Sequence, residues 1–340
     1  MTGKYPIYGA AGYIGNVDFY HQEKPYVAIV KDGAGIGRTT LHPAKSSVIG
    51  TMQYLLPKDN VLPEYLCYVV RHMHLEKYFT GATIPHIYFR DYKNEKFNLD
   101  SLDKQAEIIE ILGKAESIIL KRRKELAELD NLIKARFVEM FGIYPANQMG
   151  WETGKIRDTV ADVRYGSSRP AVDGGKYPYL RMNNITYGGE LDLSDVKRID
   201  VPENELDKCT VRRGDVLFNR TNSKELVGKT CVYDRDEMMV LAGFVIRVRV
   251  NDRVLPEFLS AFLNTDFSKK TLSEMCKAAI GQANINAQEM QNIGLYLPPL
   301  ELQRQFVQFK KQVDKSKVVV QKALDEAQNL FDSLMQQYFG

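Results

Sequence analysis

Four short segments in the second half of this 340-residue sequence are rich in side chains that bind nucleic-acid bases and phosphates. Arginine can donate two hydrogen bonds to guanine O6 and N7, asparagine can pair with adenine N6 and N7, and serine or tyrosine can contact the backbone or stack. The segments contain Arg164, Tyr165, Ser167, Ser168 and Arg169; Arg181, Asn183 and Asn184; Asn219, Arg220, Thr221, Asn222, Ser223, Lys224 and, shortly after them, Lys229; and Gln282, Asn284 and Asn286. This chemistry predicts a base-reading loop in at least one segment. The alternative for each is a solvated turn that satisfies its own backbone.

A weaker set of candidates lies in the first half of the chain and consists of Tyr8, Tyr13, Lys31, Arg38 and His86. The glycine-rich stretch at residues 32–40 (DGAGIGRTT) is similar to a nucleotide-binding phosphate loop. However, Asp32 and Arg38 stand where that motif requires glycine and lysine, and Pro43 follows too soon for a helix. We therefore interpret the stretch as a turn.

The sequence has no motif that predicts catalysis or a metal site in this chain. Its only Pro-Pro pair, at residues 298–299, lacks the flanking residues of an adenine methyltransferase motif, and Gly-x-Ser-x-Gly and His-Glu-x-x-His are both missing. Asp192, Asp195 and Lys197 are the nearest approach to a nuclease site, and their crowded spacing is typical of a surface charge cluster. The four cysteines show no Cys-x-x-Cys spacing, which favours reduced thiols. We expect a non-catalytic chain without a cofactor or metal of its own.

Two long segments, residues 102–142 and 302–340, contain no proline and repeat apolar residues every seven positions. The first carries Leu112, Ile119, Leu126, Ile133 and Met140, with Ile108, Ala115 and Leu129 between them; the second carries Phe306, Val313, Val320, Ala327 and Leu334, with Phe309, Ala323 and Leu330 between them. Both begin with Leu-x-x-Gln, at residues 102–105 and 302–305. This period predicts two helices of about 60 Å that bury their apolar seams against each other. The alternative is two amphipathic helices on separate cores.

The segments before the two helices are β-rich and repeat one another. Residues 26–30 (YVAIV) predict a strand, and residues 65–70 (YLCYVV) predict a short helix that begins after residues 62–64. Gly-Lys-Tyr-Pro occurs at residues 3–6 and 175–178, and Val-Leu-Pro-Glu at residues 61–64 and 254–257. The predicted fold is therefore α+β, with the order unit, helix, unit, helix and pseudo-twofold symmetry. The predicted boundaries are residues 1–98 for the first unit, 99–142 for the first helix, 143–297 for the second unit and 298–340 for the second helix.

Composition and charge are those of an ordinary globular protein. The net charge is only +3, so any nucleic-acid surface has to come from local clustering, such as the basic run at residues 121–124 (KRRK). That run is either a solvated helix face or a contact for the DNA backbone. No apolar stretch is long enough for a membrane span or a signal peptide, which predicts a cytoplasmic protein.

The order of several segments resembles the DNA-specificity subunit of type I restriction–modification systems. They are residues 3–9 (GKYPIYG), 180–185 (LRMNNI), 214–223 (GDVLFNRTNS), 225–229 (ELVGK) and 297–303 (LPPLELQ). The resemblance implies that each β-rich unit is a target-recognition domain that reads one half of a bipartite site in double-stranded DNA. It also implies that the helices pair as an antiparallel coiled coil and set the gap between the half-sites. Partners would be the methyltransferase (M) and endonuclease/translocase (R) subunits, which would hold S-adenosylmethionine, ATP and Mg.

The first unit departs from this pattern at its beginning. Residues 151–174 precede Gly-Lys-Tyr-Pro in the second unit, whereas only Met1 and Thr2 precede it in the first. The first unit therefore looks N-terminally truncated, which puts recognition of the first half-site in doubt. Three other hypotheses remain open: a coiled-coil scaffold that binds proteins, a truncated or phase-variable specificity remnant with one working reader, and an enzyme with an unrecognised site.

Overall fold

The computed structural model describes residues 3–81, 84–276 and 283–340. Its internal contacts form two compact units. The first consists of Met1–Glu125 and Val320–Gly340, and the second of Leu126–Val319. Each of the two long helices therefore contributes one part of its length to each unit.

In the first unit, the part of the chain that the structure describes forms six strands in two small sheets. The strands are β1 Tyr5–Gly9, β2 Gly12–Val17, β3 Tyr26–Val30, β4 Thr39–His42, β5 Ser47–Val48 and β6 Met52–Leu55. One sheet has the order β2-β1-β5 and the other the order β4-β3-β6. All five residues of β3 are buried, as expected for a central strand that reads as a continuous apolar run. The strand predicted at residues 26–30 is confirmed.

Helix α1, Pro63–His72, follows these strands, and a 3₁₀ turn at Leu75–Tyr78 and the short helix α2, Phe89–Tyr92, complete the first unit before α3. Pro63 occupies the first turn of α1, where a missing N–H costs no hydrogen bond. The buried residues Tyr65, Tyr68 and Val69 of α1 face the long helices. The helix predicted after residues 62–64 is therefore confirmed.

The described residues of the second unit form twelve strands and four short α-helices. In chain order they are β7 Glu152–Lys155, β8 Val160–Tyr165, β9 Tyr177–Leu180, β10 Lys197–Ile199, α4 Glu203–Cys209, β11 Thr210–Val211, β12 Val216–Asn219, β13 Thr221–Asn222, β14 Thr230–Val232, β15 Met239–Leu241, β16 Val245–Val250, α5 Pro256–Leu263, α6 Asp266–Met275, β17 Ala283–Asn284, α7 Ala287–Gln291 and β18 Gly294–Leu297. The two largest sheets have the orders β10-β9-β15-β11 and β14-β12-β16-β8. Two two-stranded sheets, β13-β17 and β18-β7, are also present in the second unit.

The strand pairing of the first unit recurs in the second. Strand β1 pairs antiparallel with β2 and parallel with β5, and β9 pairs in the same way with β10 and β15. Strand β3 lies between β4 and β6, as β12 lies between β14 and β16. The second unit adds β8 on the outer side of β16, and no strand of the described first unit pairs with the equivalent side of β6. The repeat in the sequence is thus a repeat in topology.

The two long helices are α3, Leu102–Phe141, and α8, Leu300–Phe339, each of 40 residues. In the first unit the beginning of α3 packs on the end of α8, because Ile108 and Leu112 share a buried cluster with Phe331 and Met335. In the second unit the end of α3 packs on the beginning of α8, and the rings of Phe137 and Phe306 lie 5.3 Å apart. The helices therefore run antiparallel within each unit, as predicted.

The predicted apolar seams are buried or half-buried with one exception. Leu330 is 55% exposed, and Phe331 and Leu334 pack against the first unit's cluster instead. An ideal helix drifts by about 20° per heptad from a strict seven-residue repeat, so the contacting position moves by one residue near the end of α8. The assignment of Leu330 to the seam was wrong for this reason.

Buried glutamines anchor the beginnings of both long helices. Gln105 accepts a hydrogen bond from the Leu62 amide, and Gln303 accepts one from the Leu255 amide, both at 2.8 Å. Leu62 and Leu255 are the N-caps of α1 and α5. The residue equivalent to Gln105 is therefore Gln303 in the fourth position of α8, and the sequence-based match to Gln305 was shifted by two residues.

Candidate nucleic-acid interface

Three of the four predicted arginines of the second unit are neutralised by carboxylates. Arg164 pairs with Asp162 at 2.9 Å, Arg169 with Glu205 at 2.8 Å, and Arg181 with Asp195 at 2.8 Å. The hydrogen bond from Arg169 lowers the pKa of Glu205, and the one from Arg181 lowers the pKa of Asp195. These guanidinium groups would have to leave a carboxylate before they could bind another anion.

Arg220 is different, because no carboxylate of the described residues lies within 4 Å of its guanidinium. The group lies 4.9 Å from the centre of the Tyr165 ring, in a cation–π contact. Its Nε atom is buried and has no hydrogen-bond partner among the described residues. An arginine in contact with a tyrosine ring, and without a carboxylate partner among the described residues, is suited to bind an acceptor from a ligand.

Tyr165 is positioned by two neighbouring elements. It is the last residue of β8, where it pairs with Ile246 of β16, and its hydroxyl accepts a hydrogen bond of 2.9 Å from the Ala287 amide of α7. The side chain is still 44% exposed. The ring is thus fixed at both ends and leaves an open face beside Arg220.

Polar residues of β13 and β17 border the same place. Thr221 donates a hydrogen bond of 3.0 Å to the Asn284 side-chain oxygen, and Thr221 and Asn284 are register partners. The Asn284 side chain is exposed, and its amide nitrogen has no hydrogen-bond partner among the described residues. We call Arg220, Tyr165 and Asn284 the Arg220 cluster.

Two other asparagines hold the backbone next to the Arg220 cluster by hydrogen bonds. Asn219 is fully buried and donates to the carbonyls of Thr221 and Phe244, at 3.1 and 3.3 Å. Asn222 donates to the Asn219 side-chain oxygen at 3.0 Å. Their amides fix the turn after β12, so they orient Arg220 and are not themselves presented to a ligand.

The structure separates the remaining predicted residues of the second unit by exposure. Ser168, Asn183 and Lys224 are exposed, Ser223 is half-buried, and Ser167, Asn184 and Lys229 are buried. Asn184 donates to the carbonyls of Asp192 and Asp195, and the Lys229 ammonium donates to the Met182 carbonyl at 2.7 Å. Burial lowers the pKa of Lys229. Asn286 caps α7, and Gln282 lies outside the described residues.

Among the candidates of the first unit, the rings of Tyr8 and Tyr13 lie 6.0 Å apart. Tyr13 is 62% exposed and its hydroxyl donates to Asn16, whereas Tyr8 is half-buried and packs on His42 with ring centres 4.6 Å apart. Arg38 donates to the Ala10 carbonyl. Lys31 directly follows β3, and no carboxylate of the described residues lies within 4 Å of its ammonium.

The basic run on α3 is mostly engaged with the helices themselves. Arg122 pairs with Glu125 at 2.7 Å, and Arg123 donates to Gln328 of α8 at 3.4 Å. Lys121 is exposed. Lys124 is exposed as well, so this arrangement agrees with a solvated helix face.

Sequence reasoning missed the carboxylates that neutralise the arginines. Glu205 is 36 residues from Arg169, and that separation gives no local signal. Asp162 is only two residues from Arg164, and alternation along β8 places both on one side of the strand, so this pair could have been predicted.

Within the described ranges, no cluster of histidine, cysteine, aspartate and glutamate could hold a metal ion. Across the same residues, no helix is both long and apolar enough to cross a membrane.

The family model described as "Type I restriction modification DNA specificity domain" matches residues 1–131 and 149–327. The chain is 25% identical to the EcoKI specificity subunit of Escherichia coli (strain K12) over 229 residues, which are 65% of this chain and 49% of that protein. It is also 25% identical to the MjaVIII specificity subunit of Methanocaldococcus jannaschii over 337 residues, covering 89% of this chain and 77% of the relative. The chain thus spans about half the length of the first of these relatives.

Two solved structures share the fold. The type I restriction–modification S subunit from M. genitalium matches with a TM-score of 0.54 and 15% identity, covering 100% of this chain and 89% of the other. A structure from work on complex assembly and conformational transition of the type I R-M system matches with a TM-score of 0.57 and 17% identity, covering 99% and 91%.

Proposed function

The chain belongs to the type I restriction modification DNA specificity family, and from that premise we propose that it is the non-catalytic DNA-recognition subunit of a cytoplasmic type I restriction–modification complex. The observation that carries the proposal is the extent of the family match, which includes the β-rich parts of both units. The Arg220 cluster supports the proposal. Arg220 contacts an exposed tyrosine ring and has no carboxylate partner among the described residues, and such an arginine can donate hydrogen bonds to a base.

In this proposal each β-rich unit reads one half of a bipartite target in double-stranded DNA. The long helices set the gap between the half-sites, since the length of a helix is fixed by its residue count. Methyltransferase subunits dock on the helices, and an endonuclease/translocase subunit joins the complex. S-adenosylmethionine, ATP and Mg belong to those partners.

Methylation mapping tests the proposal directly. The chain is expressed with a type I methyltransferase subunit, and methylated adenines are mapped across the genomic DNA of those cells. We expect one motif of two short defined sequences with a fixed unspecified gap. Purified complex that fails to bind any DNA selectively, together with no methylation, would reject the proposal and favour a protein-binding scaffold.

Changing Arg220 to alanine is expected to relax base preference at one position of the half-site read by the second unit. A bidentate arginine contact discriminates against the wrong base by about 1–3 kcal/mol. The measurement is competition binding of the purified complex to a DNA panel in which each base pair is varied in turn. Arg213→Ala is the matched control, because Arg213 is exposed and paired with Asp236 at 2.7 Å. The same loss in both variants would assign the effect to net charge.

Changing Val318 and Val319 together to serine is expected to weaken binding of the methyltransferase subunit. These neighbours on α8 are each 69% exposed, an unusual position for two valines. Burying a valine contributes about 1.5–3 kcal/mol, so loss of both predicts at least about tenfold weaker association by titration calorimetry. The exposed polar pair Gln321 and Lys322 gives a control double serine variant on the same helix. Unchanged affinity in the valine variant would place docking elsewhere.

A further inference from the structure

The central strands of the two units end in the same backbone arrangement. Lys31 directly follows β3 and Arg220 directly follows β12. The Lys31 carbonyl accepts a hydrogen bond of 3.0 Å from the Ile87 amide, and the Arg220 carbonyl accepts one of 2.9 Å from the Ile285 amide. Lys31 and Arg220 are therefore equivalent positions of the repeated fold, each occupied by a cation without a carboxylate partner among the described residues.

The next residue in each unit makes an equivalent side-chain pair. Asp32 contacts the His86 ring nitrogen in the first unit, and Thr221 donates to Asn284 in the second. Both pairs are antiparallel register partners. His86 directly precedes Ile87, whose amide bonds to the Lys31 carbonyl, and Asn284 directly precedes Ile285, whose amide bonds to the Arg220 carbonyl. The two backbone arrangements therefore correspond residue by residue.

An exposed tyrosine lies beside each of these two backbone arrangements, but the two tyrosines come from different elements of the fold. In the second unit it is Tyr165 at the end of β8. The described first unit has no strand equivalent to β8, and there the exposed tyrosine is Tyr88, the N-cap of α2, next to the isoleucine that bonds to the Lys31 carbonyl. Its ring lies 4.1 Å from the ring of His86, and it is 43% exposed. The Arg90 guanidinium lies 4.6 Å from the centre of the Tyr88 ring.

We propose that Lys31, His86 and Tyr88 form the DNA-reading site of the first unit, the counterpart of the Arg220 cluster. This inference rests on the proposed function. The site uses a lysine and a histidine where the second unit uses an arginine and an asparagine, so the two half-sites differ in sequence. All three residues belong to the described part of the first unit.

The test compares three variants of the full chain in complex with the methyltransferase subunit. Lys31→Met and Tyr88→Ala are expected to relax the motif at one half-site, with an about tenfold to hundredfold loss of preference at the affected base pair. The other half-site and the gap stay unchanged. Lys58→Ala removes the same charge from an exposed position outside the cluster and is expected to leave the motif intact.

The outcomes separate this inference from the function beneath it. A wild-type bipartite motif that neither Lys31→Met nor Tyr88→Ala alters would overturn the inference and leave the proposed function in place. A wild-type motif with a single defined half would also overturn it, because the first unit would then read nothing. A complex without any sequence preference would reject both. Thermal melting of each variant, expected to match the wild type within about 2 °C, shows that an altered motif does not come from unfolding.

Discussion

Replacing Asp162 with alanine is expected to lower the free energy of unfolding of the second unit by about 3 kcal/mol. Asp162 on β8 accepts a hydrogen bond of 2.8 Å from Arg247 on β16, and Arg247 is only 2% exposed. The variant leaves this guanidinium buried with two carbonyls, those of Thr210 and Asp207, as its partners. A buried charge without its counter-ion is among the most costly changes that a single substitution makes.

Urea unfolding followed by tryptophan fluorescence measures this effect in the correct unit. Trp151 is the only tryptophan of the sequence, it lies in the second unit, and its indole donates to the Phe141 carbonyl at 3.1 Å. Asp236→Ala is the control, because its pair with Arg213 is exposed and exposed pairs contribute about 0–1 kcal/mol. The double variant Asp162→Ala with Arg247→Met should recover most of the loss, since it removes the buried charge as well. Equal destabilisation in the single and double variants would contradict this account.

The same pair makes the effect depend on pH. Burial alone would raise the pKa of Asp162, but hydrogen bonds from Arg247 and Arg164 outweigh it and hold the pKa below its ordinary value of 3.8. The carboxylate therefore contributes stability that is present above pH 3.8 and is lost as the pH falls through the lower folded-state value. The difference between wild type and Asp162→Ala should be constant at neutral pH and shrink in acid.

The local sequence pattern was sufficient to predict the two long helices and the repeat of the β-rich units. Heptad spacing located both long helices because an apolar seam needs no information from elsewhere in the chain. The continuous apolar run at residues 26–30 likewise predicted a buried strand, which is β3. Both signals depend only on residues that are close together in the sequence, so they can be recognised without knowledge of the fold.

Side-chain partnerships could not be predicted in the same way, because they join distant parts of the chain. Arg247 and Asp162 are 85 residues apart, and only the pairing of β8 with β16 brings them together. The same limit applies to Arg220, whose unpaired charge distinguishes it from Arg169 and Arg181 only once the fold has supplied Glu205 and Asp195 to those two. Sequence composition indicated four clusters, and within the described residues Arg220 is the arginine of these clusters that has no carboxylate partner.

The glutamine that anchors the beginning of α8 could not be identified from the sequence either, although the two candidates are only two residues apart. The sequence around the start of α8 contains Leu-x-x-Gln twice, at residues 300–303 and at 302–305. Spacing alone cannot choose between them. The structure places Gln303 at 0% exposure and Gln305 on the exposed side of the helix. Two otherwise similar glutamines therefore differ only in their surroundings, and this makes them a matched pair for mutation.

Gln303→Ala is expected to destabilise the second unit by about 3 kcal/mol, whereas Gln305→Ala should change its stability by less than about 0.5 kcal/mol. The Gln303 side chain accepts from the Leu255 amide at 2.8 Å and donates to the Pro298 and Arg253 carbonyls at 2.8 and 3.2 Å. Alanine leaves these three backbone groups without their partner, and the Pro298 carbonyl among them is buried. Each buried group without a partner costs about 1–3 kcal/mol. Trp151 fluorescence in urea again gives the measurement. If the two variants lost stability equally, the anchor would not be the hydrogen-bonded glutamine, and the beginning of α8 would be held by its apolar contacts alone.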